Sequence, residues 1–130
     1  MIVLDASAML EQLLGTPKGQ RVWETYLVES ESFHVPHLLD LEVAQVLRRY
    51  AHQGMLAEHR LAQALKDFLD FPLTRYPHDP LLPRIWTLRD NFTAYDAAYI
   101  ALAEVLNIPL VTCDARLAAA PGHSASLILI

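Results

Sequence analysis

The sequence predicts an α/β fold built on a parallel sheet covered on both faces. Three observations carry this reading. Short apolar stretches alternate with stretches whose apolar residues recur at helical spacing. The strand-like stretches are continuously apolar rather than alternating, the pattern of strands buried on both sides. Two of them end in an aspartate, Val3-Leu4-Asp5 and Leu110-Val111-Thr112-Cys113-Asp114, and α/β sheets bind their ligands outside the carboxyl ends of their strands.

Residues 2–5 form the first strand, and residues 7–14 read as a short helix capped by Ser7. Val22, Trp23, Tyr26 and Leu27 give residues 18–30 a helical spacing, and Phe33 to Val35, before Pro36, make a second strand. The clearest helix covers residues 37–53 and ends at Gly54. A second helix over residues 56–70 places Leu61, Leu65, Phe68 and Leu69 on one face and can pair with it. Leu73 to Tyr76 is a third strand, and Leu81, Ile85 and Leu88 predict a helix over residues 80–90. Thr93 with Asp96 is a helix start signal, Tyr95 to Leu106 is strongly apolar, and Asn107 followed by Pro109 ends that helix. Leu110 to Cys113 and Ser126 to Ile130 complete the strands.

Composition narrows the class of function. With 10 Lys and Arg against 15 Asp and Glu, the 130-residue chain carries a formal charge of −5, unlike a protein that coats nucleic acid through many phosphate contacts. No linker or repeat divides it, so a single domain over residues 1–130 is expected. The one cysteine, Cys113, excludes an internal disulfide and a multi-cysteine zinc site, and fits the cytoplasm. No apolar run approaches the roughly 18 residues that span a membrane, and the first residues lack the features of a signal peptide.

The carboxylates carry the chemistry. Asp5 and Asp114 can face one crevice from their strand ends, although each also serves as a cap for whatever helix follows. Glu42 has Leu38, Leu39 and Val46 as its helical neighbours, so its charge stands in an apolar stripe and needs a partner, whether a basic side chain or a metal. Asp40 lies about 200° round that helix, and the helix dipole accounts for it. Asp96 shares a face with Tyr99, Ile100 and Ala103 and projects inward, a placement compatible with a capping role. If Asp5, Glu42, Asp96 and Asp114 converge, four negative charges share one pocket, and a divalent cation is what relieves them. An all-carboxylate site suits Mg²⁺ or Mn²⁺, ions that assist phosphodiester hydrolysis.

These residues resemble the PIN-domain ribonucleases, most closely the VapC-type toxins of toxin-antitoxin pairs. Four segments carry the likeness across nearly the whole chain: Val3-Leu4-Asp5-Ala6-Ser7-Ala8, Glu42-Val43-Ala44-Gln45-Val46-Leu47-Arg48-Arg49, Tyr95-Asp96-Ala97-Ala98-Tyr99 running on to Glu104, and Pro109-Leu110-Val111-Thr112-Cys113-Asp114 with Arg116-Leu117 behind it. The resemblance implies a three-layer α/β/α fold on a five-stranded parallel sheet, with Asp5 and Asp114 on neighbouring strands. It implies that Asp5, Glu42 and Asp96 hold Mg²⁺ or Mn²⁺, with Asp114 completing the site directly or through water. RNA as substrate, a cognate antitoxin and a homodimer follow from it as partners. Gln45 departs from the pattern, since many relatives carry asparagine three residues after the glutamate.

Other residues have plainer explanations. Ser7 and Thr112 can bond the carboxylates, but a capping serine and a strand threonine need no such role. Cys113 should face away from Asp114 as a buried, inert thiol. The histidines read as surface or packing residues, and Arg116 as either a phosphate contact or a solvated cation. A receiver domain would need an acidic pair after the first strand and a late lysine, whereas the only lysines are Lys18 and Lys66. A haloacid-dehalogenase-type phosphatase would need a second acid where Ser7 stands. A noncatalytic PIN-like module that binds RNA or protein is the remaining alternative, and the presence of all four acids weighs against it.

Overall fold

A computed structural model describes residues 1–130. Five parallel strands form one sheet: β1 (Ile2–Leu4), β2 (Phe33–Pro36), β3 (Leu73–Tyr76), β4 (Leu110–Thr112) and β5 (Leu127–Leu129), in the order β3-β2-β1-β4-β5. β1 lies at the centre, with Val3 in register with His34 of β2 on one side and with Leu110 of β4 on the other. The continuous apolar runs have the expected cause. Every residue of β1, β2 and β4 is buried, while the edge strands β3 and β5 are only half-buried.

Seven helices connect the strands: α1 (Ala6–Leu14), α2 (Pro17–Val22), α3 (Leu38–Gln53), α4 (Glu58–Asp70), α5 (Leu82–Thr87), α6 (Ala94–Leu106) and α7 (Ala115–Ala119). Parallel crossovers are right-handed, and the chain steps from β1 to β2 to β3 in one direction before returning past β1 to β4 and β5. This reversal puts α1 to α4 on one face and α5 to α7 on the other, and the observed contacts agree: α1 packs on α2, α3 and α4, while α5 packs on α6. The three-layer α/β/α arrangement follows. No helix is long and apolar enough to cross a membrane.

Several boundaries differ from the sequence reading for local reasons. The helix expected over 18–30 starts at Pro17, capped by the Thr16 hydroxyl, and widens into a π-helical turn at Trp23–Leu27. A 3₁₀ turn at Asp79–Leu81 precedes α5, yet Leu81, Ile85 and Leu88 are all buried as their spacing requires. Gly54 and Asn107 end α3 and α6 in the left-handed conformation, with φ of 64° and 53°. In α4 the buried stripe is Leu61, Ala64 and Phe68, whereas Leu65 and Leu69 remain exposed because they lie on the flank of the helix rather than under it. The short α7 is the helix that Asp114 was able to cap, its carboxylate accepting the Arg116 and Leu117 N–H groups.

Gly19 lets α2 lie against α1. A Cβ there would stand 2.0 Å from the Glu11 carbonyl oxygen and 2.5 Å from its carbon, both backbone atoms that cannot turn aside. Gly19→Ala is therefore expected to lower stability by about 1–3 kcal/mol through overpacking, despite its gain in helix propensity. Urea unfolding of the two proteins measures this, and an unchanged midpoint would mean that α2 is free to slide.

Candidate active site

At the carboxyl end of β1 the chain turns into α1, and Asp5 occupies the N-cap with φ −87° and ψ 174°. Its Oδ1 accepts the Ala8 N–H at 2.9 Å and the Ser7 hydroxyl at 2.6 Å. The Thr112 hydroxyl, from the end of β4, donates to Oδ2. The capping residue is thus Asp5, one position outside α1, and Ser7 supports it from within the first turn. Both hydroxyls act twice. Ser7 Oγ accepts the Cys113 N–H at 2.9 Å, and Thr112 Oγ1 accepts the Asp114 N–H at 3.0 Å. Asp5 is 5% exposed and Thr112 fully buried, so this network holds a carboxylate inside the protein and ties the ends of the two central strands together.

Glu42, in the second turn of α3, has no basic partner. Its Oε1 instead accepts the Tyr99 hydroxyl of α6 at 2.7 Å, a bond that joins the two helical layers around the edge of the sheet. Asp96 sits in the first turn of α6, where Thr93 supplies the cap through the Asp96 N–H. Asp114 caps α7 through Oδ1. Arg116 Nη2 lies 3.5 Å from Asp96 Oδ2 and 3.6 Å from Asp114 Oδ2.

The electrostatics bind the four acids into one group. Burial raises the pKa of Asp5, and repulsion from Asp114 adds to it against the Ser7, Thr112 and Ala8 hydrogen bonds. Burial likewise raises Glu42, opposed by the Tyr99 bond and reinforced by the charges of Asp96 and Asp5. Asp96 is raised by burial and by Asp114, and Arg116 opposes the rise. Glu42 thus feels both Asp96 and Asp5, while Asp5 and Asp96 each feel Asp114. Tyr99 is pushed up by burial first and by Glu42 next, so its phenol stays protonated and donates. Cys113 is half-buried beside this group; burial and then Asp5 raise its thiol to about 11, which keeps it unreactive.

A hard divalent cation fits this donor set, which is all carboxylate oxygen and crowded with like charge. No three of the acids lie close enough together to hold an ion as they stand. Asp96 and Asp114 are more exposed than Asp5, with side chains 28% and 33% accessible.

The family model described as "PIN domain" matches residues 2–122 of the chain. The chain belongs to the PIN-domain family. Among its relatives, ribonuclease VapC12 of Mycobacterium tuberculosis is 40% identical over 130 residues, covering 100% of this chain and 99% of the relative. Ribonuclease VapC1 of the same organism is 44% identical, covering 98% and 96%. The crystal structure of PAE2754 from Pyrobaculum aerophilum shares the fold, with a TM-score of 0.72 at 24% identity, covering 97% of this chain and 81% of that one.

In this PIN domain two open pockets flank the acids. One, of about 450 Å³, is lined by Asp96, Arg116, Arg89, Asn91 and their neighbours. The other, of about 430 Å³, is lined by Glu42, Gln45, Arg49, Leu41 and Tyr95. Asp5 and Asp114, at the carboxyl ends of β1 and β4, line neither. Sequence reasoning missed the Tyr99 bond, although a tyrosine on the buried face of an apolar helix has to find a partner for its hydroxyl. It also attributed Asp40 to the helix dipole alone; Arg75 Nε in fact bonds both of its oxygens, at 2.9 and 3.0 Å. His34 is a packing residue as expected, bonded to Tyr76 and Ser32.

The raised carboxyls set a pH dependence. Asp5, Glu42 and Asp96 ionise less readily in the fold than their ordinary values of 3.8 and 4.5 allow. Their contribution to stability is fully present below those ordinary values and is lost as pH rises through the folded-state values. In chelator, the advantage in melting temperature of Asp96→Asn over wild type is expected to grow from about pH 4 toward neutrality, Thr93 still capping α6. Thermal melts across that range check this, and a difference that shrinks with pH would contradict it.

Proposed function

We propose that the chain is a metal-dependent endoribonuclease, a VapC-type toxin hydrolysing RNA phosphodiester bonds at a Mg²⁺ or Mn²⁺ site held by Asp5, Glu42, Asp96 and Asp114. The observation that carries this is the group of four carboxylates, Asp5 and Asp114 after the central strands and Glu42 and Asp96 from a helix of each layer, with Arg116 as the one guanidinium paired with any of them. The ribonuclease names of relatives that match almost the whole chain support the same activity. When bound, such a cation supplies positive charge to the phosphoryl oxygens and activates water for attack.

The chain's own residues position the reaction. Ser7 and Thr112 fix both oxygens of Asp5, and Tyr99 fixes one oxygen of Glu42 while leaving the other to a ligand. One pocket opens at Asp96 and the other at Glu42, and an internal stretch of single-stranded RNA crossing the acids would enter both. Arg89 and Arg116 line the first pocket and Arg49 the second, so guanidiniums able to contact phosphates stand beside the acids Asp90, Asp96 and Glu42 of the same linings. Tyr95, 66% exposed beside Glu42, offers a face on which a base can stack.

A cognate antitoxin and a second copy of the chain are the protein partners in this reading, in the cytoplasm where the RNA is. Exposed Leu41, Met55, Leu65 and Leu69 on and around α3 and α4 support a partner surface there. Sedimentation of the purified chain alone and with the product of its neighbouring reading frame tests both; a lone monomer that binds nothing would remove them.

Asp5→Asn, Glu42→Gln and Asp96→Asn are each expected to reduce RNA cleavage by at least about 100-fold, and excess chelator to abolish it. Asp40→Asn should leave the rate within about twofold and cost no more than about 1 kcal/mol of stability, since its pair with Arg75 is partly exposed. Cleavage of labelled RNA with Mn²⁺ or Mg²⁺ measures all four, and full activity in any of the first three would sink the assignment of that acid.

A further inference from the structure

Arg116 differs from the other arginines that pair with acids. Arg75 holds Asp40 at 2.9 and 3.0 Å, and Arg84 holds Glu104 through two hydrogen bonds of 2.9 and 3.1 Å. Arg116 stands 3.5 and 3.6 Å from Asp96 and Asp114, beyond good hydrogen-bond distance, and touches two carboxylates without being locked to either. Its side chain is 78% exposed, against 28% and 33% for the two acids, so it covers them from the solvent side. The geometry of α7 puts it there. Asp114 Oδ1 accepts the Arg116 and Leu117 N–H groups, which leaves Oδ2 facing the guanidinium two residues along the chain.

Resting on the metal-site reading above, we propose that Arg116 is the resident counter-cation of the metal-free site, occupying Asp96 and Asp114 until a divalent ion displaces it. An acid pair this crowded needs positive charge nearby, and a guanidinium held by attraction alone can be exchanged without breaking a hydrogen bond. An exposed monovalent pair is screened and weak, so a divalent ion drawing on several carboxylates outcompetes it. The contact thus steadies the empty site and lowers its affinity for metal. Once displaced, the guanidinium remains on the wall of the pocket it shares with Arg89 and Asn91, beside the path of the substrate.

Calorimetric titration of Mn²⁺ into wild type, Arg116→Gln and Arg89→Gln tests the proposal. Arg89 lines the same pocket but stacks 4.6 Å over Trp86, donates to its carbonyl and pairs with no acid, so its variant removes a charge from the pocket without removing a contact to a carboxylate. Arg116→Gln is expected to bind Mn²⁺ about three- to tenfold more tightly than wild type, and Arg89→Gln within about twofold of it. Without metal, Arg116→Gln should melt about 1–3 °C lower than wild type, a difference that disappears in saturating Mn²⁺. Unchanged or weaker Mn²⁺ binding by Arg116→Gln, an equal gain in Arg89→Gln, or an unaltered metal-free melt would overturn the proposal. Absence of Mn²⁺ binding by wild type would instead overturn the metal-site reading on which it rests.

Discussion

The need to satisfy a buried carboxylate at the end of the central strand organises this molecule. Asp5 is almost completely buried, and an ionisable group there is tolerable only if its oxygens are bonded. The partners come from three directions: the backbone at the start of α1, the Ser7 hydroxyl in the same turn, and the Thr112 hydroxyl across the sheet. Each hydroxyl is in turn fixed by a backbone N–H of the segment that follows β4. The Asp5 carboxylate is therefore held by side chains that also tie the ends of β1 and β4 together. Its geometry belongs to the sheet and not to a mobile loop.

Chain order then determines which residues can meet it. Because connections run outward from β1 to β3 and return to β4, the ends of β1 and β4 flank the point where the sheet reverses direction. A helix from each layer brings an acid to that point, Glu42 from α3 and Asp96 from α6. Tyr99 joins the layers by donating to Glu42, so a hydroxyl buried for packing also positions an acid of the group.

Much of this was legible in the residues. Buried parallel strands write themselves as unbroken apolar runs, and aspartates at their ends mark the edge where ligands gather. Glu42 was legible because a carboxylate in an apolar stripe needs an explanation. What escaped was long-range or depended on a single turn. The capping position fell to Asp5 rather than Ser7 because both residue types cap well and only the entry angle of the chain decides. The pairing of Asp40 with Arg75 joins residues brought together by the adjacency of β2 and β3, which no local pattern encodes. The spacing of Leu65 and Leu69 placed them near the buried face of α4, but the width of that face depends on how its neighbours pack.

The bond between Thr112 and Asp5 closes a separation of 107 residues. During synthesis the first strand leaves the ribosome long before its partner exists, and until then Asp5 is a solvated side chain with the acidity of any aspartate. Contacts at such distance along the chain form late, after the loop-closure cost has been met by the intervening packing. All four carboxylates therefore share one field only when β4 lies beside β1. An incomplete chain is not a weaker version of the finished one; it lacks the centre altogether, and whatever the centre does begins only once the molecule is whole.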